Sequence, residues 1–426
     1  MSRKAPRHRD RGAFGRKTAR AVKAPSALAR LRSPWGWVAA TPAIAMLALG
    51  VVAWLAGWHV GADSAVYRAG ALTLVHGDPL YTRDVLTALP DWVRLPFTYT
   101  PAAAPLFLPL ALVPSGLVWG VIGFLSVVAV TVVIAVVSWP SELARKAWLL
   151  PAGTAIALVL EPVWKTLFLG QINLILMAFV VLDVLVLSAR GSRWSGVLIG
   201  VAAAIKLTPL IFVPHLFFTG RWRDGLRALG TFVALEAVMF AVIPVDAARF
   251  WRDSATDPSR VGSVHWIFNQ SLNGLVNRAS QLAPWSLYVA VGVAAVLAVP
   301  AVWLVVRLHR RGEDAAALLV TAFYGLLLSP VSWSHHWVWA IPLLTLLVVK
   351  GRRWAAAVVA LPFASQLVML VPNGGESEFG WGLGWSVLGN VYVLGAALAI
   401  VGLAVRELRT VRRSAQVAAV APGLAQ

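Results

Sequence analysis

The chain has 426 residues, 59% of them hydrophobic and 13% charged, with 21 tryptophans, a mean hydropathy of +0.75 and a net charge of +19. That composition lies outside the range of soluble globular domains, and the apolar runs have the length of membrane helices rather than of barrel strands. With no cysteine, disulfides, thiolate metal sites and thiol nucleophiles are excluded.

Residues 1 to 34 carry eleven Lys/Arg and one Asp among Ala, Pro and Ser, and read as a disordered basic cytoplasmic arm. The apolar stretch that follows is too long for a secretory signal and lacks a small-residue cleavage site. The positive charge reads as an orientation signal and an attraction to anionic membrane lipid, not to nucleic acid. A membrane domain is expected over 35 to 405 and a cytoplasmic tail over 406 to 426. Its apolar stretches fall at 36–57, 116–138, 147–160, 171–189, 195–218, 228–244, 285–306, 315–330, 336–349, 355–371 and 382–405. Lys/Arg clusters at 145–146, 190–193, 221–227, 307–311, 350–353 and 406–413 mark the cytoplasmic side.

Stretch 195–218 begins and ends beside such clusters, yet contains Lys206 to Pro209, where the proline removes a donor and disfavours helix at Thr208. Folding it into two short spans gives about twelve crossings with both termini inside. Residues 100–114, broken by Pro101, Pro105, Pro109 and Pro114, are expected as a re-entrant or interfacial helix on the outer side. The fold class is therefore an all-α polytopic membrane protein, with its chemistry in the outer segments. No internal repeat is visible.

Four segments carry candidate chemistry. "GADSAVYRAGALTLVHG" (61–77) reads as a short amphipathic helix with Asp63 or Ser64 as N-cap and Gly77 just past its end. Asp63 also suits a general base, because a carboxylate just outside the bilayer can take the proton of an attacking hydroxyl. In the second segment, Gly170, Gln171 and Asn173 at a helix start suit a polar ligand. Lys206 either snorkels or pairs with an anion, which is a lipid-linked phosphate or Asp183.

"SVHWIFNQSLNGLVNR" (263–278) is either an ordinary interfacial loop or a set of amides and aromatics for sugars, with Arg278 for phosphate. His335 and His336 share a short outer turn among tryptophans. Adjacent histidines point apart, which argues against joint metal chelation, while one of them suits phosphate contact or proton transfer. No zinc signature, P-loop, dinucleotide glycine pattern or nucleophile elbow occurs.

"GADSAVYRAGALTLVHGDPLY", "FTYTPAAAPLFLPL", "LGQINLILMAFVVLDV", "GVLIGVAAAIKLTPLIFVPHLFF" and "NQSLNGLVNR", in that order, resemble the glycosyltransferase family 87 membrane mannosyltransferases of actinobacteria. The resemblance implies a GT-C glycosyltransferase fold in the plasma membrane with an extracytoplasmic active site. It implies a polyprenyl-phosphate-mannose donor, inversion from β-linked donor to α-linked product, and no cofactor, since the lipid-linked donor is itself a substrate. Chain length, an early acid and a late histidine pair are most similar to members that elongate phosphatidylinositol mannosides with α-1,2-linked mannose, which makes a phosphatidylinositol mannoside the expected acceptor.

In such proteins the base lies in the first outer loop, and Asp63 occupies that place. The acidic pair of some relatives is absent, since Ala62 precedes it. The expected roles are then Asp63 with His335 or His336 in catalysis, and Lys206 and Arg278 at the donor phosphate. Gln171, Asn173, Asn269, Gln270 and Tyr67 are expected at sugar hydroxyls, with no metal. Two rival readings are an arabinofuranosyl or lipoglycan-branching transferase on the same scaffold and a non-catalytic glycan-lipid transporter. The lack of matched broken helices in two halves weighs against the transporter.

Overall fold

The computed structural model describes residues 34–82, 85–139, 141–146 and 148–420. The expected basic arm, up to residue 33, and the end of the expected tail, from residue 421, lie outside them. The described chain is helical, with no strand among the described residues beyond an isolated bridge between Asn269 and Trp333.

The first helix, α1 (Pro34–Ala56), leads to the short α2 (Ala62–His76), and α3 (Ser115–Ser138) returns along α1. α1 and α3 meet at glycines, where a Cβ on Gly50 would stand 2.5 Å from the Gly120 Cα. Lipid supplies no hydrophobic force between apolar helices, so close approach of small residues provides the packing. Gly61 enters α2 at φ 73° and Gly77 leaves it at φ 75°. The cap position is Gly61 and makes no side-chain cap bond, which corrects the expected Asp63 or Ser64 cap. Ser64 Oγ instead donates to the Gly61 carbonyl at 2.8 Å. Asp63 stands in the first turn, where the partial positive charge of the helix start favours an acid.

α4 (Leu149–Leu158) and α5 (Glu161–Leu169) form a pair bent by 73°. The bend carries 161–169, which falls between two of the expected apolar stretches, into helix, with Pro162 in its first turn, where a missing N–H is harmless. α6 (Asn173–Leu182) continues in irregular helical turns to Arg190. α7 (Val197–Ile205) and α8 (Phe212–Phe218) flank the break at Lys206, and α9 (Trp222–Val242) follows.

The folded-back reading of 195–218 is visible in packing. A Cβ on Gly196 would meet Asp224 and Ala228, and one on Gly225 would meet Phe217, so both ends lie beside the start of α9. Leu207, at the tip, packs on the same buried cluster as Ile243, just past the other end of α9.

Beyond these come α10 (Leu272–Ser280), α11 (Ser286–Arg310), α12 (Asp314–Leu328), α13 (Ala340–Val349), α14 (Arg353–Ala364) and α15 (Val391–Val420). Seven helical segments of the described chain are long and apolar enough to span a membrane, and the bent α4–α5 pair makes up to eight, so the protein is a multi-pass membrane protein. The remaining expected spans, α7, 208–218, 314–328 and 334–349, are helical but shorter, which leaves fewer full-length spans than the twelve expected. These short helices end where polar residues gather: Lys206 and Thr208, Ser329, and His336 all line one cavity.

Candidate active site

That cavity has a volume of about 740 Å³ and is walled by Asp63, Tyr99, Gln171, Lys206, Asn273 and His336 among others. Its acid comes from the first turn of α2, its amide from the turn between α5 and α6, and its cation from the tip of the folded-back segment. Lys206 is extended (φ −147°, ψ 128°) between the end of α7 and the next turn. Its Nζ donates to Asn173 Oδ1 at 3.0 Å and lies 3.1 Å from His336 Nε2. An ammonium has only donors, so His336 Nε2 accepts and its proton resides on Nδ1.

Burial pushes the Asp63 carboxyl up to about 7, opposed by the Lys206 charge and by a hydrogen bond from Gln171. A second, apolar cavity of about 330 Å³ adjoins the first at Leu207, Thr208 and His336, and runs between α6 and α12 along Met177, Phe212 and Leu326.

Of the residues expected from sequence, Asp63, Gln171, Asn173, Lys206 and His336 meet at these two cavities. Asn173 serves as a tie, since its Nδ2 donates to the His335 carbonyl at 3.2 Å while its Oδ1 holds Lys206. Tyr67 lies behind Gln171, fully buried. His335 is buried, lines neither cavity, and its ring nitrogens have no hydrogen-bond partner among the described residues.

Asn269, Gln270 and Arg278 are engaged elsewhere. The Gln270 amide donates to the Ile267 and Gly389 carbonyls, both at 2.7 Å. Asn269 Nδ2 donates to Val264 O at 2.8 Å and Pro330 O at 3.2 Å. Arg278 is buried; its guanidinium donates to the carbonyls of His265, Trp266 and Asn269 and, at 2.6 Å, to Asn390 Oδ1. These three side chains staple the 263–278 loop in place of contacting a ligand. Arg278→Met is accordingly expected to lower thermal stability by about 3 kcal/mol or more and leave the KM for donor near parental; a melting curve and a donor titration check it.

Sequence reasoning missed Tyr99 and the clamp on the histidine turn. Ser334 Oγ donates to Glu161 Oε1 at 2.7 Å and accepts from Lys165 Nζ at 3.2 Å, while Thr166 Oγ1 donates to the His335 carbonyl at 3.1 Å. All three partners lie on α5, which falls outside the expected apolar stretches, so no sequence signal pointed to them. Asp183 accepts from the N–H groups of Gly196 and Ile199 at 2.6 and 3.0 Å, which caps α7 and removes it as a partner for Lys206.

Fold and site together define a polytopic membrane protein with one polar cavity in which an acid faces a lysine. The profile of glycosyltransferase family 87 matches residues 97–330. A polyprenol-phosphate-mannose-dependent α-(1-2)-phosphatidylinositol mannoside mannosyltransferase of Mycobacterium tuberculosis is 32% identical over 399 residues, covering 87% of this chain and 92% of that protein. A phosphatidylinositol pentamannoside mannosyltransferase from another strain is 34% identical over 398 residues, with 87% and 88% covered. The solved structure of ArnT from Cupriavidus metallidurans bound to undecaprenyl phosphate aligns at a TM-score of 0.40 and 18% identity, over 92% of this chain and 80% of that one. The chain belongs to glycosyltransferase family 87.

Proposed function

We propose that the protein transfers mannose from polyprenyl-phosphate-mannose to a hydroxyl of a phosphatidylinositol mannoside, forming an α-1,2 linkage with inversion at the extracytoplasmic face of the plasma membrane. The observation that carries this reading is Asp63 and Lys206 together on the wall of one cavity of about 740 Å³. The names of the relatives support the same donor and acceptor.

In a single displacement, Asp63 takes the proton of the acceptor hydroxyl as its oxygen attacks the anomeric carbon. The bond from that carbon to the phosphate oxygen breaks, and the prenyl phosphate leaves with the electron pair. Its new negative charge develops beside Lys206, whose ammonium has three protons and spends two on Asn173 and His336. The third is free for phosphate. The apolar cavity beside His336 suits the first units of the prenyl chain. Residues 100–114 form the short helical turns Ala103–Leu106 and Leu108–Ala111, whose Ala103, Phe107 and Leu110 join α2 in one buried cluster.

Purified protein supplied with polyprenyl-phosphate-mannose and a phosphatidylinositol mannoside is expected to extend the acceptor by one α-1,2-linked mannose. Transfer from a prenyl-phosphate-arabinose donor alone would favour the arabinofuranosyl reading, and no transfer from either would favour transport. For sidedness, single cysteines at Ser263 and Ser377 are expected to react with an impermeant thiol reagent in intact cells, and one at Ser192 to be protected. The reverse pattern would put Asp63 on the wrong side.

A further inference from the structure

The Gln171 carboxamide sits between two tyrosines and the acid. The Ile172 N–H donates to the Tyr67 hydroxyl at 3.1 Å, and the Tyr99 hydroxyl donates to the same oxygen at 3.1 Å. These bonds occupy both lone pairs of the Tyr67 oxygen, so its own proton goes to Gln171 Oε1 at 3.0 Å. A reversed carboxamide would need the Tyr67 proton to turn to Tyr99 and would aim its own oxygen at the Asp63 carboxylate. With its oxygen held by Tyr67, the carboxamide turns its nitrogen toward Asp63, which lines the same cavity.

The surroundings fix each member. Tyr67 is fully buried, stacked on Phe107 with centroids 4.6 Å apart and edge-on to Tyr99 at 5.0 Å. Gly170, at φ 68°, lets the 170–172 turn lie against α2, where a Cβ would stand 2.6 Å from Ser64 Oγ.

We propose that Tyr67 and Tyr99 are positioning residues that act through Gln171 to hold the Asp63 carboxylate, one oxygen bonded to the amide and the other presented to the acceptor hydroxyl. The inference rests on Asp63 as the base. The amide N–H favours the charged carboxylate and so works with Lys206 against burial. The titratable groups facing Asp63 are Tyr67 on its own helix, Tyr99 before α3 and Lys206 at the tip after α7. His336 stands beyond Lys206, and Arg94 lies at the exposed edge of the cavity.

The test follows kcat and acceptor KM from about pH 5 to about pH 9 for the parent, Gln171→Leu and Tyr99→Phe. A base works deprotonated, so parental activity should rise as pH climbs through about 7. Loss of an N–H donor favours the protonated acid and moves that rise upward. Gln171→Leu is expected to move it by about one pH unit and lower plateau kcat about tenfold, with acceptor KM within about threefold of parental. Tyr99→Phe, which keeps the ring packing, should move it the same way by less.

An unmoved acid limb in both variants overturns the proposal, and a raised acceptor KM without such a shift makes Gln171 a sugar ligand instead. Should Gln171→Leu fail to fold, Tyr99→Phe alone decides. Asp63→Asn in the same assay separates the failures. A parental rate there removes the reading beneath the proposal, whereas an inactive variant with unmoved limbs elsewhere removes the proposal alone.

Discussion

Asp63→Asn is expected to lower kcat for mannose transfer by about 10² to 10⁴, with expression and thermal stability in detergent close to the parent. Asparagine keeps the size of the side chain and can still accept the Gln171 amide, but it cannot take a proton near neutral pH. Stability is spared because Asp63 makes no cap bond in α2, whose start is shaped by Gly61 in its left-handed conformation. The charge lost from the first helical turn costs at most about 1 kcal/mol. His336 is no substitute as base, since the lone pair of its Nε2 already accepts from the Lys206 ammonium 3.1 Å away. His336→Ala should therefore weaken turnover without abolishing it. A parental rate for Asp63→Asn beside a dead His336→Ala would reverse the two roles.

What could be read without coordinates was what rests on chemistry local in the chain. The apolar runs set the helices, and Pro209 after Lys206 marked the fold-back that carries the cation to the cavity. Asp63 between small residues after the first span was visible for the same reason. The readings of Arg278, Asn269 and Gln270 diverge from the structure because a polar residue in a loop looks alike whether it meets ligand or backbone. Only the fold shows that the carbonyls of 264–269, Pro330 and Gly389 claim their donors. Tyr99 was hidden for the opposite reason. Its hydroxyl is one polar atom in a proline-rich apolar stretch, and its partners, Tyr67 and Gln171, are 32 and 72 residues away in the chain.

Lys206→Met is expected to lower kcat/KM for the prenyl-phosphate donor about ten- to a hundredfold, while the protein still inserts and folds. A charge-assisted contact to phosphate contributes about 1.5 to 3 kcal/mol, and methionine keeps nearly the length of the side chain without its donors. A snorkelling lysine sends its amine outward along an apolar surface to water. This one does not: its amine is fixed between Asn173 Oδ1 and His336 Nε2 at the wall of the polar cavity, 5.9 Å above the Tyr99 ring. Asn173 also holds the His335 carbonyl, so the amine ties together α6, the tip after α7 and the histidine turn. That tie predicts a second, smaller effect, a lower melting temperature. The two separate in one experiment, because a structural tie lowers stability without altering discrimination between donor and free prenyl alcohol. A phosphate ligand alters that discrimination at every temperature below unfolding. If Lys206→Met binds the donor as tightly as the parent and only melts earlier, the lysine is a tie alone and the leaving phosphate is stabilised by another group lining the cavity.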